Sequence, residues 1–152
     1  MTRWTSALVV IAAFMTLGCQ RRIAEEPPQI RYGQHACAEC RMLINEERFA
    51  AAVDTTDGTV AFDAIECLVR WLADGGTARR VWVHDYDSSA WLAGRTAWFV
   101  RSRELATPMG AGLVALATEQ AARELGSRIQ GEVLRFEELP HIVQTREAIR
   151  SS

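Results

Sequence analysis

The sequence predicts an α+β fold built from two small, related ββαβ units packed together. Two observations carry this. The stretch from Arg48 to Tyr86 reads strand, strand, helix, strand, and the stretch from Thr96 to Leu139 repeats that order. The chain is also the right size. Its 152 residues are 49% apolar, enough to bury a core within one compact domain or two very small ones. Strands followed by a helix and a returning strand form a layered α+β body.

The elements follow in order. In "RFAAAV", Phe49, Ala51 and Val53 alternate as one face of a strand. "DTTDG" (Asp54 to Gly58) is a turn, and "TVAF" places Val60 and Phe62 on one side, completing a hairpin. Asp63 starts a helix, and Glu66 three residues on completes a capping-box pattern. Ile65, Leu68, Val69 and Leu72 form the helix stripe, and "DGG" (Asp74 to Gly76) ends it. "ARRVWVHDY" returns as a strand. In the second half, "TAWFVRS" and "GLVALA" are strands. Thr118 caps a helix whose Ala121, Ala122, Leu125 and Ile129 share a face, with Gly126 as its stop; "EVLRFEEL" is the last strand. Between the halves lie "HDYDSSAWLAG" and the Pro/Gly-rich "RELATPMGAG". Met109, between Pro108 and Gly110, is more easily presented by such a loop than buried.

The N-terminus sets the compartment. One positive charge precedes the apolar run Ala7 to Gly18, 12 residues long, and "CQRR" follows. That run is too short to span a membrane comfortably and has the layout of a secretory signal. A cysteine directly after Gly18 points to a lipoprotein cleaved before Cys19 and acylated on it, although Leu17 stands two residues before that cysteine where three is usual. The alternative is an ordinary secreted protein. The expected organisation is signal peptide 1–18, lipidated Cys19 and flexible tether 19–36, first unit 37–87, second unit 88–140 and tail 141–152. The net charge of −2, with 17 basic residues that are all Arg and lie in no long run, excludes nucleic acid as a natural partner.

Of four cysteines, Cys19 is taken by the anchor, leaving Cys37, Cys40 and Cys67. An odd number outside the cytoplasm is not a closed disulfide framework. The stretch "HACAECRML" holds C-x-x-C with Met42 two residues on and His35 two residues before. Haem attachment needs His after the second cysteine, where Arg41 stands. A thioredoxin-like dithiol should open a helix after a strand, and a Pro-containing linker precedes this one. A structural zinc site needs two further ligands, and no second C-x-x-C or H-x-H pair follows. Soft-metal chemistry fits better, because Cu(I) prefers thiolate and thioether sulfur. Cys37, Cys40 and Met42 lie within one short clip, and Met109 brings a thioether from the other half. Each has a blander reading. Met42 beside Leu43 and Ile44 could fill core, and Met109 could cover an apolar edge. His35 in the tether could be solvated, and His84 on a strand beside Trp82 and Tyr86 favours packing over ligation. Cys67 falls opposite the Ile65–Leu72 stripe and reads as a small packing residue, with ligation as the alternative.

These pieces resemble the NosL family of lipoprotein copper chaperones linked to nitrous oxide reductase assembly. The matching segments are the lipoprotein signal, "CAEC-R-M" (Cys37 to Met42), "TVAFDAIECLVRWL", "VWVHDYDSSAWLAGRTAWFVRS", "TPMGAGLVALAT" and "GEVLRFEEL". The resemblance implies two ββαβ units, one Cu(I), no enzymatic activity, and copper delivery from a membrane donor to an enzyme in the periplasm or another extracytoplasmic space. By position it implies ligation by Cys40 and Met109 first, then Met42 and Cys37, with His35 or His84 as a nitrogen donor. Family members carry Gly after the second clip cysteine; here Arg41 replaces it. Two other functions remain open: a membrane-tethered thiol–disulfide oxidoreductase using Cys37 and Cys40, and a metal-free adaptor docking its client through the aromatics around Trp91 and Trp98.

Overall fold

The computed structural model describes residues 26–141; the signal segment, Cys19 and the C-terminal tail beyond His141 lie outside them. Seven strands and two helices follow in the order β1 (Ala51–Asp54), β2 (Thr59–Phe62), α1 (Ile65–Ala73), β3 (Arg80–His84), β4 (Trp91–Ala93), β5 (Trp98–Arg101), β6 (Leu113–Leu116), α2 (Glu119–Arg128) and β7 (Glu132–Arg135). They build two antiparallel sheets. The first is ordered β2-β1-β3-β4 and the second β6-β5-β7. In each, the first strand to be made sits between its hairpin partner and the strand that returns after the helix.

The sheets are joined end to end by a parallel bridge between Asp85 and Ala115. The N–H of Tyr86 donates to the Ala115 carbonyl at 2.8 Å, and Asp85 Oδ1 accepts from the N–H of Ala117 at 3.1 Å. Side-chain alternation divides the core. In β5 and β6, Phe99, Leu113 and Ala115 face a large core shared with Val53, Phe62, Leu68 and Val83. Val100, Val114 and Leu116 face a smaller one against Ala122 and Leu125 of α2. Strand β6 is buried on both faces, which explains its unbroken apolar run.

Four local expectations change. The tether was expected to stay flexible to residue 36. Instead Pro28 is buried, Ile30 and Tyr32 pack on the main core, and the Gly33 N–H bonds the Ile44 carbonyl at 2.8 Å. Its apolar side chains and free backbone donors find partners that a linker composition does not advertise. The stretch after His84 contains β4, whose three residues are too few to show alternation, and β4 pairs with β3 in the first sheet although residues 91–93 were assigned to the second unit. Gly126 lies inside α2 and does not end it: a Cβ there would meet the Gly131 carbonyl oxygen at 3.1 Å and Val133 Cγ2 at 3.2 Å. It is a close-approach glycine between helix and returning strand. Finally, the capping box at α1 does not form. The N-cap is Ala64, with no side-chain cap bond, and both carboxylates are used elsewhere.

Candidate metal centre

The Cys-x-x-Cys segment is a tight loop closed by the antiparallel bridge Ala36–Leu43. The Cys37 N–H donates to the Met42 carbonyl at 2.7 Å, and the Arg41 N–H donates back to the Cys37 carbonyl at 3.1 Å. The Ala38 N–H, bonded to the Ala61 carbonyl at 3.0 Å, docks the loop onto β2. Closing so short a loop puts Arg41 at φ 67°, in the left-handed region where glycine is favoured. This is the position at which the resemblance noted above implies glycine. Arg41 therefore takes up the glycine conformation at some cost, with its side chain in solvent.

The start of α1 faces this loop. Asp63 Oδ1 accepts from the Cys40 thiol at 3.4 Å, and Cys67 lies one helical turn further on. One ligand atom each from Cys37, Cys40, Asp63 and Cys67 lies within 4.8 Å of all the others. Cys37 and Cys67 are wholly buried, Asp63 is 2% exposed, and Cys40 is half-buried. Cys67, which reads from sequence as a small packing residue, is both buried in the core and beside the clip. The first turn of α1 carries it beside the clip.

The thiols are electrostatically unequal. Cys37 is lowered to about 6, chiefly because the Cys67 S–H donates to it; backbone N–H groups of Cys40 and Asp63 add to this and together outweigh its burial. Cys67 is raised in turn, first by that bond to Cys37, then by burial and by the charges of Cys37 and Asp63. Burial is the main reason Cys40 is pushed up to about 11. The cluster therefore favours negative charge on Cys37 over its two neighbours, which suits a soft cation. An Arg70 Nη2 stands 3.8 Å from Cys67 Sγ and brings positive charge to the rim.

Glu66, 2% exposed, leaves the helix start in another direction. Its Oε1 accepts from the Thr107 hydroxyl and the Ala111 N–H, each at 3.1 Å. The Thr107 hydroxyl oxygen also accepts from the Gly112 N–H at 3.0 Å. These bonds moor the loop carrying Met109 to the helix turn carrying Cys67. Met109 is half-buried against the core that contains Cys37 and Cys67. Burial raises the Glu66 pKa, only partly offset by its donors.

The remaining candidates are placed differently. Met42 is 46% exposed, on the outer side of the clip rather than in the core. His35 is half-buried against Arg31, whose backbone N–H and Nε reach its two ring nitrogens at 3.3 and 3.2 Å. His84 stands outside the cluster with both nitrogens engaged. Nδ1 meets the Ser89 carbonyl at 2.7 Å, so it carries the proton, and Nε2 accepts from the Tyr32 hydroxyl at 2.9 Å. Its ring lies on Trp91, centroids 3.7 Å apart. Trp91 and Trp98 are half-buried, the latter under the Arg135 guanidinium at 4.2 Å. Cys19 lies outside the described residues.

Comparison with known proteins decides the family. The NosL family profile matches residues 29–143, most of the chain and all of the site. The chain belongs to the NosL family. Within it, the copper-binding lipoprotein NosL of Stutzerimonas stutzeri is 28% identical over 147 residues, an alignment covering 87% of this chain and 77% of that protein. The crystal structure of the copper chaperone NosL from Shewanella denitrificans matches with a TM-score of 0.63 at 24% identity, covering 74% of this chain and 96% of the other. That structural likeness establishes a shared NosL fold of mixed helix and sheet. Both relatives are named as copper-handling proteins, not as enzymes.

Asp63 and the placement of Cys67 are what sequence reasoning missed. A signal was present, in that Asp63 and Cys67 stand four residues apart where a helix was expected to begin. The capping pattern Asp63–Glu66 offered a sufficient local explanation and hid it.

Proposed function

We propose that this NosL-family chain is a membrane-anchored, extracytoplasmic Cu(I) chaperone that delivers copper during assembly of a copper enzyme, with nitrous oxide reductase as the client. The observation that carries the reading is the convergence of three thiols within 4.8 Å, with the half-buried Cys40 as the approach side. Cys37 and Cys40 hold the ion, and Met42 and Met109 supply thioethers from the exposed clip and the moored loop. Sulfur donors select a soft monovalent ion over harder competitors.

Delivery follows from the way the ligands are graded by exposure. An incoming sulfur or imidazole adds at the open side beside Cys40 and Met42 before the buried ligands let go, so copper is never free. Acylation at Cys19 would keep the chain beside a membrane copper donor and raise its effective concentration there. Among the described residues no helix is long and apolar enough to cross a membrane, so attachment would come from the N-terminal segment.

The thiol–disulfide alternative is weaker on chemical grounds. An exchange enzyme exposes its low-pKa thiol to substrate. Here the lowered thiol, Cys37, is wholly buried, while Cys40, at the accessible side, is raised. An anaerobic Cu(I) competition titration against a chromogenic chelator tests the reading. One tight equivalent, weakened in Cys40→Ser and in Met109→Leu, is the expected result. Reduced wild-type protein that takes up no Cu(I) would remove the chaperone function.

A further inference from the structure

The chain as a whole is slightly acidic, with a net charge of −2, yet three arginines gather at one end of the β3–β4 pair. A groove of about 140 Å3 there is lined by Arg79, Arg80, Val81, Trp82, Ala93 and Arg95. The lining is apolar between the arginines and, among the described residues, holds no carboxylate. Gly94 makes the groove possible. Its N–H donates to the Val81 carbonyl at 2.7 Å, and a Cβ there would come within 2.6 Å of Val81 Cγ1. The turn after β4 therefore presses against β3 and brings Arg95 to the groove that Arg79 and Arg80 line. We propose that this groove is a docking site for an extended acidic segment of a partner protein, whose carboxylates are taken by Arg79, Arg80 and Arg95.

The local charge balance is positive. Asp54 is the carboxylate that reaches Arg80, at 3.7 Å, and the same oxygen, Oδ2, accepts from the Trp82 indole N–H at 2.9 Å. One such carboxylate against three guanidiniums leaves the face cationic, so it attracts and orients an acidic partner. The guanidinium fork matches a carboxylate in plane and donor spacing. Shape decides against a membrane surface. Trp82 is 9% exposed and its indole N–H is held by Asp54, so the aromatic floor is recessed and cannot enter a lipid interface. An extended segment suits the place, because β4 is the edge strand of its sheet. The Cys-x-x-Cys clip, by contrast, docks on β2 through the Ala38 N–H, at the opposite edge. Three strand spacings of about 4.8 Å put roughly 14 Å between those edges. A partner seated in the groove therefore leaves the clip open. The docking site stands whether or not the clip takes up copper.

The experiment uses the reduced, detergent-solubilised full chain and a short fluorescent peptide in which glutamate alternates with threonine, with its glutamine counterpart as control. The expected result is saturable binding of the glutamate peptide, weakened as salt is raised, and none of the glutamine peptide. Arg79→Gln and Arg95→Gln should each weaken binding about fivefold, the scale of one accessible ion pair. Arg128→Gln, the same charge change on α2, should leave it unchanged. Isotope-labelled wild-type protein gives an NMR readout that no folding defect can confuse. The peptide should shift the Trp82 indole N–H, the Gly94 amide and the Nε–H groups of Arg79, Arg80 and Arg95. Absence of binding, equal binding of the glutamine peptide, an equal loss in Arg128→Gln, or shifts centred elsewhere would overturn the proposal. So would the same shifts from phosphatidylglycerol added to the micelle with none from the peptide, which would assign the face to the membrane. Cu(I) uptake should be unaltered in Arg79→Gln, so failure of docking leaves copper handling standing, and failure of copper uptake leaves docking standing.

Discussion

The Thr107 hydroxyl donates to Glu66 Oε1 at 3.1 Å across 41 residues of sequence. The same oxygen holds the Ala111 N–H, so a single buried carboxylate sets where the Met109 loop sits relative to α1. Glu66→Ala should strand both donors and cost about 1–3 kcal/mol. Glu66→Gln keeps an acceptor at Oε1 and should lose far less. Hydrogen exchange at the Ala111 amide separates them: faster in the alanine variant, near wild type in glutamine. Equal exchange in both variants would remove Glu66 as the mooring.

Arg41 stands in a glycine conformation at φ 67°. Arg41→Gly removes the left-handed strain but frees the unfolded chain, for a net gain of about 0.5–1 kcal/mol. Arg41→Ala should bring no gain, since alanine meets the same clash. Denaturant midpoints of the three proteins decide it. Equal shifts in both variants would mean that the side chain, not the backbone, is what matters.

Gly112 also has positive φ, at 69°, and a Cβ there would come within 1.8 Å of the Ser102 carbonyl oxygen. Backbone cannot yield as a side chain does, so Gly112→Ala should displace the end of the Met109 loop and destabilise the protein by more than about 2 kcal/mol. Gly110, with φ 68° and open space around its Cβ position, faces strain alone. Gly110→Ala should therefore cost only about 1 kcal/mol. Thermal unfolding of the pair measures the difference.

His84 gives stability a pH dependence. Burial lowers its pKa, with the Ser89 carbonyl and Glu47 only partly opposing. Its folded pKa lies below the unfolded value of about 6.5. Its contribution is therefore complete above about pH 6.5 and is lost as acid protonates the unfolded chain first, down through the folded pKa. His84→Asn keeps an N–H donor for Ser89 and should flatten this acid limb while lowering stability at neutral pH. Denaturation midpoints from pH 7.5 to 5 provide the check; an unchanged limb would place the titration elsewhere. Tyr32, raised to about 12 by burial and by Glu47, stays a neutral donor throughout this range.

Much of the architecture was legible because it rests on short-range physics. Thr118 caps α2 through its side chain, accepting the Ala121 N–H at 3.2 Å, as its place before the helix implied. Alternation located β1 and β2, short apolar runs located β5 and β6, and turn residues marked the β1–β2 hairpin. Errors arose where one local pattern had two meanings. Asp63 and Glu66 look like a capping box, yet Asp63 accepts from the Cys40 thiol and Glu66 from Thr107 and Ala111, all far from the helix end in sequence. Gly126 looks like a stop, yet its missing side chain is used for contact with Gly131.

By itself the sequence determined the order of the strands and helices apart from β4, the Cys-x-x-Cys-x-Met spacing at Cys37–Met42 and the place of Met109 in a Pro/Gly loop, because each depends on residues a few positions apart. Only the tertiary structure decided that Cys67 and Asp63 face that clip, that Glu66 moors the Met109 loop, and that His84 is locked between Tyr32 and Ser89. Those relationships join residues far apart in sequence that are brought together by sheet pairing and core packing, which no local pattern resolves.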